Sequence, residues 1–332
     1  MKQQLKDSFG RTHDYLRISL IERCNLRCTY CMPEEGLVLR EKAEFMTQEE
    51  LLLITHQFVS MGVKKIRLTG GEPLIKRNFR SIIKELSALP VELTLTTNAV
   101  ILDRFIDDLK AAKIKKLNIS LDSLNEERFN EISRRKSFKP IIDNIYLAVK
   151  EEFDVKLNVV LMKGVNDDEI IDFIELSKID KINIRFIEFM PFNGNDWDWS
   201  QTISHQTIFD RVVKHYGKGK VQTEPEMPNS TSKNFKIKNY SGNFGMISTL
   251  TNPFCDTCNR IRLTADGRIK NCLFSSNETD LLTALRQGKN IAPLIQQSLT
   301  KKHEKRAGIV SFDSEEGKKI FSQNRSMTTI GG

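Results

Sequence analysis

Tyr15-Leu16-Arg17-Ile18-Ser19-Leu20, followed three residues later by Cys24-Asn25-Leu26-Arg27-Cys28-Thr29-Tyr30-Cys31, sets the frame for the rest of the chain. The first run alternates apolar Leu16, Ile18 and Leu20 with Arg17 and Ser19, the period-two pattern of a strand with one apolar and one polar face. The second places three thiols in a short loop directly after that strand. Three thiolates at this spacing can wrap a cube of iron and sulfide and leave one iron without a protein ligand. Zinc would want a fourth ligand, and the nearest histidine, His13, lies before the strand. Cys255, Cys258 and Cys272 complete the six cysteines of the 332-residue chain and again stop one ligand short. Two open sites suggest one for a cofactor and one for a substrate. Close spacing also argues for metal rather than disulfides.

Between Tyr15 and Met190, short β-branched runs alternate with helical patterns, which predicts a parallel sheet of strand-helix units. Strands are expected at 15–20, 65–69, 92–97, 116–122, 155–162 and 181–189. Thr47 with Glu50 makes a capping box ahead of a helix that Gly62 should end, and Asn166 with Glu169 repeats the design. Six units fall short of the eight in a closed barrel, so the expected fold is α/β, a partial, open (βα)6 barrel of TIM type over residues 1–190. An open doubly wound sheet is the alternative. After Pro191 the sequence turns polar, with a linker-like stretch at 217–232. Residues 191–332 are expected to cover the barrel mouth and to carry the second triplet.

The polar faces of these strands agree with one another. Lys65, Arg67 and Thr69 lie opposite Ile66 and Leu68; strand three offers Thr94, Thr96 and Asn98, strand four Asn118, Ser120 and Asp122, and strand five Lys156 and Asn158. Outer helices would cover the apolar faces, so the polar ones should line the lumen. Arg17, Lys65, Arg67 and Lys156 would then converge where desolvation is costly without an anion. The net charge of +8, from 51 basic and 43 acidic residues, suits an anionic ligand, although scattered lysines account for such an excess equally well. No arginine-rich tail supports a nucleic-acid role. Apolar runs such as 157–162 are too short to span a bilayer and 1–15 lacks an apolar signal stretch, so no membrane partner and a cytoplasmic location are expected.

The cysteine loop after the first strand, with Tyr30 at the usual aromatic position, resembles the radical S-adenosylmethionine superfamily. Gly70-Gly71-Glu72-Pro73, after strand two, is similar to that superfamily's methionine-binding turn. In such enzymes the open iron chelates the methionine amino and carboxylate groups, and one electron cleaves the sulfonium to give a 5'-deoxyadenosyl radical. Farther on, the run from Phe254 through Cys255, Cys258, Arg260, Ile261, Arg262 and Arg268 to Cys272-Leu273-Phe274 resembles the GTP 3',8-cyclase family of molybdenum cofactor biosynthesis. So do Arg185-Phe186-Ile187-Glu188-Phe189-Met190-Pro191 and the terminal Gly331-Gly332, and the match covers essentially the whole chain. It implies a lyase that cyclises GTP to (8S)-3',8-cyclo-7,8-dihydroguanosine 5'-triphosphate with two [4Fe-4S] clusters and S-adenosylmethionine. Cys24, Cys28 and Cys31 would hold the first cluster; Cys255, Cys258 and Cys272 would hold the second, whose open iron meets guanine. Tyr30, Gly71, Ser120 and Met190 would contact S-adenosylmethionine. Arg17, Lys65, Arg67, Thr96, Lys156, Arg260, Ile261 and Arg262 would contact GTP, with Arg17, Arg260 and Arg262 as the catalytic set.

The resemblance also implies a low-potential electron donor, flavodoxin or ferredoxin, and a downstream cyclic pyranopterin monophosphate synthase, and it admits a homodimer. In the family the glycine tail reaches toward the active site. Three positions depart from the family pattern: Ala99 and Arg134 stand where glycine is expected, and Asn78 where aspartate is usual. A two-cluster peptide maturase is the nearest rival, although three cysteines are few for its C-terminal region. A non-catalytic iron-sulfur carrier or a zinc-stabilised binding protein would leave the polar lumen and the Arg260-Arg262 pair unused.

Overall fold

The computed structural model describes residues 4–33, 35, 36, 38, 40–226 and 228–331, so Gly332 lies outside the described residues. The six expected strands are present: β1 (Tyr15–Ser19), β2 (Lys65–Thr69), β3 (Glu92–Thr97), β4 (Lys116–Ser120), β5 (Asp154–Leu161) and β6 (Asn183–Glu188). Each pairs in parallel with the next, with helices between them. Their outward residues, among them Leu16, Ile18, Ile66, Leu68, Leu95, Leu117, Leu157 and Phe186, are buried in one apolar layer with the helices. Helix Gln48–Ser60 starts at the capping box, with the Glu50 N–H donating to Thr47 Oγ1 (3.2 Å) and the Thr47 N–H to Glu50 Oε2 (2.8 Å).

The second expected capping box is not formed. Asn166 is buried and instead accepts from the Met162 N–H (2.8 Å) while its amide donates to the carbonyls of Asp122 and Val160. Glu169 accepts from Ser123, the Leu124 N–H and Arg128. The ends of β4 and β5 leave buried backbone groups to satisfy, and these two side chains answer that demand rather than the helix start.

The sheet is wider than six strands. β7 (Val221–Thr223), β8 (Lys233–Ile237), β9 (Phe244–Ile247), β10 (Arg260–Leu263), β11 (Arg268–Lys270) and β12 (Thr279–Asp280) extend it at both edges. The described strands run in the order β12-β11-β10-β1-β2-β3-β4-β5-β6-β9-β8-β7, and the two ends do not join. β10 lies parallel to β1 and β9 parallel to β6, so the residues after Pro191 add a parallel strand to each side of the barrel. Both arrive within antiparallel hairpins, β8-β9 and β10-β11, so neither carries the strand-helix pattern that betrays a barrel unit. The linker-like 217–232 stretch includes β7, which pairs with β8. Among the described residues no helix is long and apolar enough to cross a membrane.

Candidate active site at the barrel mouth

The first triplet sits at the C-terminal end of β1, tied down from three sides. The Gly71 N–H donates to the Ile21 carbonyl (2.6 Å) and the Glu72 N–H to that of Arg23 (2.9 Å), so the turn after β2 lies against the backbone leading to Cys24. A Cβ on Gly71 would stand 2.2 Å from the Arg23 carbonyl oxygen, which is why only glycine fits. Glu72, fully buried, accepts from Thr97 Oγ1 (2.7 Å) and the Asn98 N–H (2.7 Å); burial pushes its carboxyl up to about 7 against those bonds. Asn98 in turn donates to Asn25 Oδ1 (2.7 Å) and approaches Cys24 Sγ (3.6 Å). On the far side the Arg27 and Thr29 N–H groups donate to Ser133 and Ile132, and Tyr30 OH donates to buried Asp122 (2.8 Å).

All six cysteines are free and partly buried. Burial pushes the Cys24 thiol up to about 11, and burial, Asp122 and the neighbouring thiols push Cys28 and Cys31 up as well. Thiols in one another's field ionise together only around something strongly electropositive. Yet among the described residues no three His, Cys, Asp or Glu side chains converge closely enough for a single ion. Three thiols on one short loop are a donor set that suits an iron-sulfur cluster with one iron left open.

Along the lumen, strand register lines up cations. Arg17 is flanked in the ladder by Arg262 of β10 and Arg67 of β2, and Tyr15 by Arg260 and Lys65. Arg67 donates to Tyr15 OH (2.6 Å) and the Leu95 carbonyl (3.1 Å), and reaches Thr96 Oγ1 at 3.4 Å. Arg17, Arg67, Arg260 and Arg262 form no ion pair among the described residues, and Arg17 Nε and Arg260 Nη1 are buried without an acceptor. Burial first, then Arg262, Arg67 and Arg260, drives the Arg17 guanidinium well below its ordinary value, and burial with Arg260 brings Arg262 to about 10. Burial and Arg185 bring Lys156 to about 8. Lys65 and Lys156 depart from the expectation of unpaired cations, because Glu92 lies 3.1 Å from the first amine and Asp154 3.9 Å from the second. Ile261 is completely buried in the apolar core, so its side chain faces away from Arg260 and Arg262.

The second triplet lies at the other end of the lumen from the first: Cys255 and Cys258 precede β10, whose Arg260 is level with Tyr15 at the start of β1, and Cys272 follows the antiparallel β11 back to that level. Lys302, buried, approaches Cys258 Sγ at 3.5 Å and the Arg260 carbonyl at 3.3 Å. Burial works against ionisation of Cys258, but Arg260 and Lys302 outweigh it and hold the thiol down to about 6. Arg11 donates to the Cys255 carbonyl (2.8 Å), and Cys272 packs in a small apolar cluster with Met190 and Phe274. Glu188, at the end of β6, accepts from the Leu250 and Thr251 N–H groups and so ties the segment before Cys255 to the barrel. Gly331 enters the mouth: it is buried, its carbonyl accepts from Arg262 Nη1 (2.7 Å), and a Cβ there would meet Ser19 and Thr69 at 2.8 Å.

The structure therefore brings Tyr30, Gly71, Thr96, Lys156 and both triplets to one barrel, together with residues the sequence reading passed over. Arg185 is half-buried on β6 in the field of Arg67, and desolvation, then Arg67, bring it to about 10. It occupies the polar phase of its strand, a signal present in the sequence. Glu72 stands in the Gly70-Gly71-Glu72-Pro73 turn, Asn98 and Asp122 in the polar phases of strands three and four, and Tyr15 in the phase of Arg17, but nothing local shows what they hold; Lys302 carries no motif at all.

A partial barrel with a cysteine triplet after its first strand and a glycine turn after its second defines a radical S-adenosylmethionine protein. The Radical SAM superfamily matches residues 18–177, and Molybdenum Cofactor Synthesis C matches residues 182–308. The chain belongs to the GTP 3',8-cyclase family of molybdenum cofactor biosynthesis: it is 40% identical over 337 residues to "GTP 3',8-cyclase" of Listeria welshimeri, covering 99% of this chain and 100% of that protein. It is 46% identical over 284 residues to "Molybdenum cofactor biosynthesis protein 1" of Drosophila melanogaster, covering 85% of this chain and 50% of the relative. The chain thus spans about half the length of several curated relatives. The crystal structure of Streptococcus suis SuiB bound to S-adenosylmethionine shares the fold, with a TM-score of 0.62 at 14% identity over 96% of this chain and 72% of that one.

Proposed function

We propose that the chain converts GTP to (8S)-3',8-cyclo-7,8-dihydroguanosine 5'-triphosphate, the first step of molybdenum cofactor biosynthesis. One observation carries this reading: Arg262, Arg17 and Arg67 stand side by side in the lumen, without a carboxylate partner among the described residues, between two cysteine triplets. A triphosphate supplies the several negative charges that such a row lacks. On this reading Cys24, Cys28 and Cys31 hold a [4Fe-4S] cluster and Cys255, Cys258 and Cys272 a second one. With S-adenosylmethionine bound, the first cluster supplies one-electron cleavage of the sulfonium and so the means to abstract hydrogen.

The chain's own residues then bind and aim. Tyr30, Gly71, Ser120 and Met190 border S-adenosylmethionine, with the N–H groups of Gly71 and Glu72 already donated inward so that the turn offers acceptors to an ammonium group. Arg17, Arg67, Lys156 and Arg185 grip the phosphates, while Lys65 and Thr96 support the grip. Arg260 and Arg262 orient the nucleotide between the triplets, so that the ribose C3' hydrogen faces the first and guanine the second; C3' then joins guanine C8. Residues 1–190 act as the radical-generating barrel and 191–332 as the substrate-side region. The electron donor is a low-potential carrier such as flavodoxin or ferredoxin, and the product is consumed by a cyclic pyranopterin monophosphate synthase.

The test is anaerobic: reconstitute with iron and sulfide, reduce with dithionite, add S-adenosylmethionine with and without GTP, and quantify 5'-deoxyadenosine and cyclised nucleotide. GTP-dependent formation of both is the expected result. Cleavage with GTP returned unchanged would point to a maturase, and no cleavage at full iron content to an electron carrier.

A further inference from the structure

The tail that delivers Gly331 into the mouth has little of its own to hold it there. The helix Met327–Ile330 is a single turn, far too short to persist alone, and only Thr328 and Ile330 are buried within it. We infer that Arg325 is a positioning residue whose ion pairs seat this tail against Arg262. Its guanidinium forks onto Asp266 (Nη1 to Oδ1 3.0 Å, Nη2 to Oδ2 2.8 Å), and Nη2 also donates to Glu278 Oε2 (2.6 Å). Both carboxylates are nearly inaccessible, with side-chain exposures of 3% and 10%, so these are not pairs between mobile surface groups. Thr264 Oγ1 donates to Asp266 Oδ1 (2.6 Å) and fixes the acceptor in the β10-β11 turn. One residue earlier, buried Asn324 accepts from Lys270 Nζ (2.8 Å) and donates to the Leu273 carbonyl (3.0 Å), next to Cys272.

Asp266 serves a second cation. Arg40, beyond the first cysteine loop, reaches Asp266 Oδ2 at 3.2 Å and Glu22 at 3.1 Å, two residues before Cys24. One carboxylate therefore joins the tail to the segments that flank the first triplet, while Asn324 joins it to the second. Gly331 meets Arg262 six residues beyond Arg325, so release of that anchor frees the whole approach. The consequence for turnover rests on the cyclase reading; the anchoring does not.

The test uses the anaerobically reconstituted holoenzyme. In Arg325→Met, hydrogen exchange of the 326–331 amides should accelerate at least tenfold while the β1 to β6 amides keep their protection. Arg325→Lys should fall between, because a single ammonium lacks the planar guanidinium fork that reaches Asp266 and Glu278 together. Cyclised nucleotide formed per S-adenosylmethionine cleaved should drop about tenfold in Arg325→Met, and that drop should vanish in a chain ending at Ser326, where there is no tail left to position. Unchanged tail exchange would overturn the inference, as would a drop that persists in the shortened chain. If Arg325→Met does not fold, Glu278→Gln removes one of the two anionic partners and should accelerate tail exchange about threefold; no acceleration there counts against the anchor. Failure of the unaltered protein to cyclise GTP would remove the cyclase reading and leave the exchange result to decide the anchor.

Discussion

Arg17 faces the lumen from the middle of β1, with Arg262 and Arg67 as ladder neighbours and a buried Nε that donates to nothing among the described residues. Each of these features costs folding energy when no anion is bound. Arg17→Met should therefore stabilise the ligand-free protein by about 1–3 kcal/mol in urea unfolding, while GTP affinity falls about 10- to 100-fold through loss of a charge-assisted contact. A destabilised variant with normal affinity would make Arg17 a structural group. Lys156 and Tyr15 carry the matching pH behaviour. Burial and Arg185 hold the amine down to about 8; for the phenol, burial works upward, but Arg67 and Arg17 prevail and hold it also near 8. Both native values lie below the ordinary ones, so from about pH 8 to about pH 10 the unfolded chain binds more protons and the ligand-free protein gains stability as pH rises. Over the same range the lumen loses positive charge, so GTP affinity should weaken. Titration of the GTP dissociation constant against pH checks this, and Lys156→Met should flatten the curve. Affinity that stays level through pH 9 would contradict the assignment.

Two backbone turns show how local chemistry and global fold part company. Ala99, after β3, has φ 60°, and Arg134, closing the helix Glu126–Ser133, has φ 51°, both in the left-handed region where glycine is at ease. These are the two positions at which the sequence departs from an expected glycine. The left-handed backbone costs a residue with a Cβ about 1–2 kcal/mol, and glycine returns about 0.4–1 kcal/mol of that through unfolded-state entropy. Arg134 is partly exposed, so Arg134→Gly should raise stability by about 0.5–1 kcal/mol. Ala99 is fully buried, and loss of its methyl costs about 0.8 kcal/mol, so Ala99→Gly should be neutral. Urea midpoints for the two variants test that contrast; equal gains would mean that the Ala99 methyl packs against nothing of consequence. The third departure, Asn78, donates to Gln48 Oε1 (2.8 Å), a bond an aspartate could not make in that direction. At this scale the six core strands and the Thr47 cap were legible because period two and a capping box are local patterns. The Asn166-Glu169 pair misled because its side chains serve strands that lie close only after folding.

Across the whole molecule, the two triplets stand 224 residues apart between Cys31 and Cys255, and one sheet joins their strands directly, since β1 and β10 are parallel neighbours. That adjacency was not legible: β10 reads locally as half of a hairpin, and its place beside β1 is a long-range pairing no window of sequence contains. Cysteine spacing and the polar phase of each strand were legible, which is why the cations of β1, β2, β5 and β10 could be named in advance. Arg185 was missed on the same signal; Glu72 and Asn98 lay within a motif and a polar strand phase but their partners were not legible, and Lys302 gave no signal, because a residue that approaches a cysteine through space carries no spacing. The shared sheet makes the division of labour testable. Cys272 packs against the small apolar cluster of Leu250, Phe274, Ile309 and Phe312, outside the main core, and the first triplet is held by Glu72, Asn98 and Asp122 independently of it. Cys272→Ser should therefore fold, lose about four of about eight irons per chain, keep S-adenosylmethionine cleavage, and form no cyclised nucleotide. Iron and sulfide analysis with product quantification reads all three. Cyclisation at the normal rate would place substrate activation elsewhere. Loss of cleavage as well would mean that the β1-β10 junction transmits damage from one triplet to the other, and the two sites would have to be treated as a single centre.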